Sequence, residues 1–285
     1  MATLLNGRTV SNSLLEDIKQ DVENLNSKGV RPKLVVILVG EDPASAVYVK
    51  HKEKACAKVG MLSEKLVFPE TISEKELLTE IDRLNKDESV NGLIVQVPLP
   101  PHISEDEIVK AIEPAKDVDG FHAVNLGKTA LGREFEDLSP ATPKGITRIL
   151  EFYDIELEGM NAVVIGRSKN VGKPIAMMLL NRNATVTICH SRTKNLIEHT
   201  KKADLIIAAV GRAGFVKAEM IKPGVVVIDV GIHRKDDGKL CGDVDFDKVE
   251  KIASALTPVP GGVGPMTVAA LLENTILATK NQHNL

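Results

Sequence analysis

A buried apolar run, Asn161-Ala-Val-Val-Ile165, leads into Gly166-Arg167-Ser168 and, after Lys169-Asn170-Val171, into Gly172 at the start of a helical stretch. A strand that passes through a glycine-bearing turn into a helix is the local architecture on which dinucleotide phosphates sit. Gly166 lets the chain turn sharply off the strand, Gly172 lets the helix pack closely, and the free amides of that helix are expected to face a pyrophosphate. The spacing is irregular, with Ser168 and Val171 where a standard fingerprint has glycines, so the pattern alone specifies little. The next strand, Ala184 to Cys189, ends without the carboxylate that would hold a ribose hydroxyl of NAD. Ser191, Arg192 and Arg167 instead offer donors and positive charge that suit the extra phosphate of NADP.

Elsewhere, Tyr48 and Lys52 stand four apart on one predicted helix and share a face, with Ser45 one turn earlier. The pair can reach a common ligand, and the same spacing is also that of an ordinary solvated lysine. Gln96 sits inside an otherwise apolar strand, immediately before Val97-Pro98, where its amide needs partners from a backbone or from a ligand. Of Asp117 and Asp119, one could accept paired hydrogen bonds from an aminopyrimidine ring, or either could cap the amides of a turn. Gly231 and Ile232 follow the strand 225–230, at a sheet end where a nicotinamide ring would lie, though strand termination alone explains them too.

The elements that must position these residues alternate between apolar strands and amphipathic helices throughout, which predicts an α/β fold of parallel sheets with helices on their faces. A helix is expected from about Ser11 to Asn26, then a buried strand Leu34–Val39. Asp42-Pro43 reads as a helix cap and first turn, closed by Gly60, and Leu66–Phe68 as a short strand. Ser73 with Glu76 and Ser104 with Glu107 look like capping boxes on either side of a strand Gly92–Val97. Strands near 161–165, 184–189, 204–210 and 225–230, separated by helix-length segments, form a second, Rossmann-like sheet. Gly132–Pro143 lacks periodicity and is the expected hinge. The expected domains are 1–138, completed by a returning helix 267–285, and 139–266.

The chain has 285 residues and 43% hydrophobic content, enough for two domains with real cores. A net charge of −3 argues against general attraction to nucleic acid or anionic membranes. The run Leu34–Val39 is too short to span a bilayer, and the opening Met-Ala-Thr-Leu-Leu-Asn-Gly-Arg lacks the layout of a signal peptide, so a cytoplasmic location is expected. Three scattered cysteines read as reduced thiols, and no spacing of histidine, cysteine or carboxylate indicates a metal.

Several blocks in order carry a resemblance: Tyr48-Val-Lys-His-Lys52, Gly92-Leu-Ile-Val-Gln-Val-Pro-Leu-Pro100, Lys116-Asp-Val-Asp-Gly-Phe-His122, Val164-Ile-Gly-Arg-Ser168 with Val171-Gly172, and Thr257-Pro-Val-Pro-Gly-Gly-Val-Gly-Pro265. Nearly end to end, the chain resembles the bifunctional methylenetetrahydrofolate dehydrogenase/cyclohydrolase family. The resemblance implies two α/β domains with a shared cleft, oxidation of 5,10-methylenetetrahydrofolate with NADP, and hydrolysis of the methenyl product to 10-formyltetrahydrofolate in one-carbon metabolism. It makes Lys52 the catalytic residue, chiefly for hydrolysis, and a lysine in a partly dry cleft beside a cationic ligand gives up its proton more easily. Tyr48 would stack on or orient the folate, Gln96 would hydrogen-bond near Lys52, and Asp119 would grip the pterin's amino and ring nitrogens. Pro260, Gly261, Gly262 and Pro265 would wall the folate side. Gly166, Arg167, Ser168, Ser191 and Ile232 match cofactor-contacting positions, with Gly172 and Arg192 beside them. The family also implies a homodimer.

Two positions depart from the family pattern: Ala141 stands where cysteine is usual, and Asn170 where an aliphatic residue is usual. The second touches the phosphate turn. Two other readings are a monofunctional, NAD-using dehydrogenase and a non-catalytic NADP-binding regulatory protein. The presence of Tyr48, Lys52, Gln96 and Asp119 argues against both.

Overall fold

The computed structural model of the chain describes residues 2–285, at Ala44 the backbone alone. In chain order the strands are β1 (Thr3–Leu4), β2 (Lys33–Val39), β3 (Leu62–Phe68), β4 (Gly92–Val95), β5 (Asn161–Ile165), β6 (Thr185–Cys189), β7 (Leu205–Ala208), β8 (Val226–Asp229), β9 (His233–Arg234), β10 (Leu240–Cys241) and β11 (Ala255–Leu256). The α-helices are α1 (Gly7–Ser27), α2 (Pro43–Val59), α3 (Glu74–Lys86), α4 (Glu105–Ala111), α5 (Ala123–Leu131), α6 (Ala141–Phe152), α7 (Gly172–Leu180), α8 (Leu196–Thr200), α9 (Phe246–Val249) and α10 (Val263–Gln282).

Two compact units result. A small-sheet unit comprises Ser13–Lys128, Asp137–Ala141 and Val268–Leu285, and a large-sheet unit comprises the chain up to Asn12, Thr129–Glu136 and Thr142–Thr267. This division differs from a boundary at 138/139. The chain start joins the large sheet because β1 pairs in parallel with β11. Thr129–Glu136 joins it because Asn181 donates to the Thr129 carbonyl (2.8 Å) and Arg182 grips Glu136 at 2.8 and 3.1 Å.

In the small-sheet unit the order is β3-β2-β4, all parallel. The central strand β2 is a continuous apolar run because both its faces are covered. Its side chains alternate between two cores. Leu34, Val36 and Leu38 pack with Leu15, Ile18, Val22 and Leu25 of α1 and the apolar face of α10. Val35, Ile37 and Val39 pack with Leu77, Ile81 and Leu84 of α3 and Ile108 of α4. Helix α2 starts and stops where its sequence dictates. Asp42 accepts from the Ser45 N–H (2.7 Å), Pro43 fills the first position, and Gly60, with φ 78°, ends it.

In the large-sheet unit the six-stranded sheet is parallel throughout, in the order β1-β11-β8-β7-β5-β6, and β9 and β10 form a separate antiparallel pair. From β5 the chain goes to β6 on one side, then crosses to β7 and β8 on the other. The carboxyl end of β5 is therefore the point where the direction of winding reverses, the usual ligand crevice of such sheets.

Some expected boundaries move. Helix α6 begins inside the supposed hinge, and α10 begins at Val263 rather than Thr267. In both, a proline (Pro143, Pro265) occupies the third helical position, where the missing N–H costs nothing. Between β7 and β8 the described residues form only a 3₁₀ turn, Ala218–Met220, instead of a helix. Ser73 and Glu76 form the full capping box, whereas the Ser104 N–H donates to Glu74 (2.7 Å), leaving half a box with Glu107. The polar tail is anchored too, since Gln282 donates to the carbonyls of Asn91 and Ala115 at 2.9 and 3.0 Å.

Candidate functional site

Strand β4 ends at Val95, and Gln96 sits one residue beyond it, its N–H donated to the Ile37 carbonyl (2.9 Å). Its side-chain amide then has two partners. Nε2 donates to the Val97 carbonyl (2.8 Å), and Oε1 accepts from Nζ of Lys52 (3.1 Å). The Val97 carbonyl also receives the Ser45 hydroxyl (3.4 Å), so the first turn of α2 is tied to the turn after β4. Lys52, two turns along α2, is only 8% exposed, while Tyr48 on the same helix is 44% exposed. A held amine beneath an exposed phenol is what this helix face presents.

The structure separates the two aspartates left open by the sequence. Asp117 is buried and accepts from the N–H groups of Phe121 (3.3 Å) and His122 (2.8 Å) and from Asn125 Nδ2 (2.9 Å), so it caps the turn into α5. Asp119 is half-buried, and its carboxylate forms no hydrogen bond among the described residues. Burial pushes its pKa above the ordinary carboxylate range while the nearby Lys52 charge pulls it down. Asn274 of α10, which sequence reasoning missed, fixes the loop by donating to the carbonyls of Val118 and Ser139, both at 2.9 Å.

In the large-sheet unit, the turn after β5 has the close approach expected of it. Gly166 has φ 140°, a Cβ there would sit 2.2 Å from the Ala209 carbonyl oxygen, and a Cβ on Gly172 would sit 2.4 Å from that of Gly166. The helix amides, however, are not free. Ser168 Oγ accepts from the N–H groups of Val171 and Gly172 (both 3.2 Å), the Lys173 N–H donates to the Ser168 carbonyl, and Pro174 has none. Ser168, standing where a glycine was wanted, caps α7 itself, and its own O–H is left to donate. The N–H groups of Arg167 and Ser168, in the loop rather than the helix, form no hydrogen bond among the described residues. The buried Oδ1 of Asn170 has no partner there, a cost of about 1–3 kcal/mol that this departure from the family pattern brings.

The Gly166 N–H donates to the Cys189 carbonyl (2.8 Å), so this turn adjoins the one after β6, where Ser191 and Arg192 are exposed. Neither Arg167 nor Arg192 has an acidic partner among the described residues. A glycine cradle with an outward hydroxyl and two unpaired guanidinium groups fits a phosphorylated dinucleotide. Ile232 is exposed beyond β8 and lies against Gly264 of α10. Pro260, Gly261 and Gly262 form the turn between β11 and α10, and the Pro265 carbonyl accepts from Ser11 (3.3 Å). Sequence reasoning also missed Asp229, at the end of β8, and Asp243, two residues beyond β10, buried carboxylates whose bonds run mainly to backbone amides that leave no side-chain pattern.

Among the described residues no group of His, Cys, Asp or Glu is placed to hold a metal, and no helix is long and apolar enough to cross a membrane.

Residues 5–119 match the profile of the tetrahydrofolate dehydrogenase/cyclohydrolase catalytic domain, and 140–283 that of its NAD(P)-binding domain. A bifunctional protein FolD of Enterococcus faecalis is 54% identical over 282 residues, covering 99% of this chain and 100% of its own. The crystal structure of the bifunctional FolD dehydrogenase/cyclohydrolase of Campylobacter jejuni superposes with a TM-score of 0.95 at 50% identity, covering 99% of each chain. That of the Trypanosoma brucei dehydrogenase-cyclohydrolase, complexed with NADP cofactor and inhibitor, gives 0.94 at 36% identity over 100% and 99% of the two chains. With both halves matched in order, the chain belongs to the tetrahydrofolate dehydrogenase/cyclohydrolase family.

Proposed function

We propose that Lys52, Gln96, Tyr48 and Asp119 carry the folate chemistry of a bifunctional enzyme. It oxidises 5,10-methylenetetrahydrofolate to the methenyl cation with NADP and hydrolyses that cation to 10-formyltetrahydrofolate. The supporting observation is the buried Lys52 amine held 3.1 Å from Gln96 Oε1 in the same unit as an unbonded, half-buried Asp119.

Asp119 accepts paired hydrogen bonds from the amino and ring nitrogens of the pterin, and the exposed ring of Tyr48 stacks on or orients the flat ligand. Gln96 Oε1 can only accept, so it engages one N–H of Lys52 and leaves the rest of that nitrogen for water and ligand. In hydrolysis, the oxygen of water adds to the methenyl carbon. Lys52 passes one of its protons to the ring nitrogen as the C–N bond breaks, and the other proton leaves to solvent.

NADP, when bound, supplies the hydride acceptor for the oxidation step. Ser168, Ser191, Arg167 and Arg192 hold its phosphates, with Gly166 and Gly172 giving the close approach. Ile232 and Pro260, Gly261, Gly262 and Pro265 border the reacting rings. Binding and orientation are the chain's whole contribution to hydride transfer.

A cytoplasmic location fits three free cysteines, of which Cys56 is pushed up to about 12 by burial and so kept inert. The assembly is a homodimer through the large-sheet unit, a reading supported by the family and by β6, which pairs on one side only among the described residues.

Lys52→Ala tests the assignment. Hydrolysis of methenyltetrahydrofolate should collapse while NADP binding and thermal stability persist, and a wild-type rate of hydrolysis would remove Lys52 from the mechanism.

A further inference from the structure

Asp243 is fully buried, and its carboxylate gathers the turn that follows β7. Oδ2 accepts from the N–H groups of Val210 (2.5 Å) and Gly211 (2.9 Å). Oδ1 accepts from the Arg212 N–H (2.9 Å) and lies 2.7 Å from Nε2 of His233. Asp229, 3% exposed at the end of β8, accepts from the N–H groups of Gly231 (2.9 Å), Asp243 (2.8 Å) and Val244 (2.9 Å). Two buried carboxylates thus bind together the backbone at the carboxyl ends of β7 and β8.

Three consecutive N–H groups turned toward one carboxylate fix the other side of each peptide plane. In a trans peptide the carbonyl of the preceding residue points opposite to the N–H, so the carbonyls of Ala209, Val210 and Gly211 point away from Asp243. Those three oxygens accept no hydrogen bond among the described residues. The strand order β6-β5-β7-β8 gives them a direction along a bound cofactor. With the adenosine phosphate at Ser191 and Arg192 beyond β6, and the pyrophosphate at Gly166–Ser168 beyond β5, the nicotinamide end extends over β7 and β8.

We propose that Asp243, supported by Asp229 and His233, is the positioning residue for the nicotinamide end of the cofactor. It aims the carbonyls of Val210 and Gly211 at the hydrogen-bond donors found there, the carboxamide NH₂ and the ribose hydroxyls, while that of Ala209 packs against Gly166, and it sets Gly231 so that Ile232 borders the ring. The proposal rests on the functional reading above. It acts on oxidation alone, because no residue of the Lys52 and Gln96 group takes part.

Asp243→Asn tests it, since the amide nitrogen introduced would oppose a row of backbone donors. NADP affinity by calorimetry and the KM for NADP should weaken by about tenfold, the scale of one lost charge-assisted hydrogen bond. Adenosine 2′,5′-bisphosphate, which carries only the other end of the cofactor, should bind within about twofold of wild type, and nucleotide-free hydrolysis should also hold within about twofold. Unchanged NADP affinity, or an equal loss for both ligands, or a parallel fall in hydrolysis, overturns the proposal. If Asp243→Asn does not fold, His233→Phe decides: it keeps a ring of similar size but no donor toward Asp243, and a rise of about threefold in the NADP Kd with the bisphosphate unaffected is expected. No rise overturns it. A wild-type protein that binds no NADP would sink the functional reading together with this one, whereas variants that match an NADP-binding wild type sink this one alone.

Discussion

Burial pushes Asp229 up to about 6 from an ordinary 3.8, and this makes one carboxyl visible in the stability of the whole chain. The native state keeps a proton that the unfolded chain releases, so stability falls as the pH rises from 3.8 to about 6 and is level above that window. The full interval corresponds to roughly 3 kcal/mol, of which about 1.3 kcal/mol is recovered on going from about pH 7 to about pH 5. Asp229→Asn removes the titration. Burial raises Asp117 and Asp119 as well, so the pH slope of the wild type alone mixes several groups, and the difference between wild type and variant isolates Asp229. Urea unfolding followed by circular dichroism on both proteins at the two pH values measures that difference. The variant starts less stable, having lost an acceptor for three backbone donors, and its deficit should widen by roughly 1 kcal/mol on acidification. A deficit that stays constant, or narrows, refutes the reasoning.

Arg192→Ala should raise the KM for NADP by about tenfold or more and that for NAD far less, because the lost contact is charge-assisted and belongs to the extra phosphate. Equal effects on both cofactors would contradict it. Gln96→Leu leaves the buried Lys52 amine without its acceptor, so hydrolysis followed by methenyl absorbance should slow by about ten- to a hundredfold while NADP affinity holds. Ser168→Ala strips the cap from α7 and should cost about 1 kcal/mol of stability along with weaker NADP binding, and Ser168→Thr should restore both.

Local chemistry made some of this legible in advance. Helix α2 follows from Asp42-Pro43 and Gly60, and the two-faced core of β2 from its unbroken apolar run, because each signal acts on its own neighbours. The sites that escaped are those decided by distant backbone. β1 is two residues long with no pattern of its own, and it exists as a strand only because β11 offers an edge. Asp229 and Asp243 read as unremarkable acids because most of what they bind is main chain 14 to 33 positions away. Ser168 read as a missing glycine, whereas its hydroxyl does for the amides of α7 what a capping residue does. The choice between Asp117 and Asp119 needed the Asn125 contact, which only the folded turn supplies.

One chain should both oxidise and hydrolyse. Purified protein given 5,10-methylenetetrahydrofolate with NADP, with NAD and with no nucleotide, while reduced nicotinamide and the methenyl product are followed together, tests it most directly. Reduced NADP without lasting accumulation of methenyltetrahydrofolate is the expected result. Methenyl product that piles up as NADP is reduced, or no turnover with either nucleotide, would contradict it.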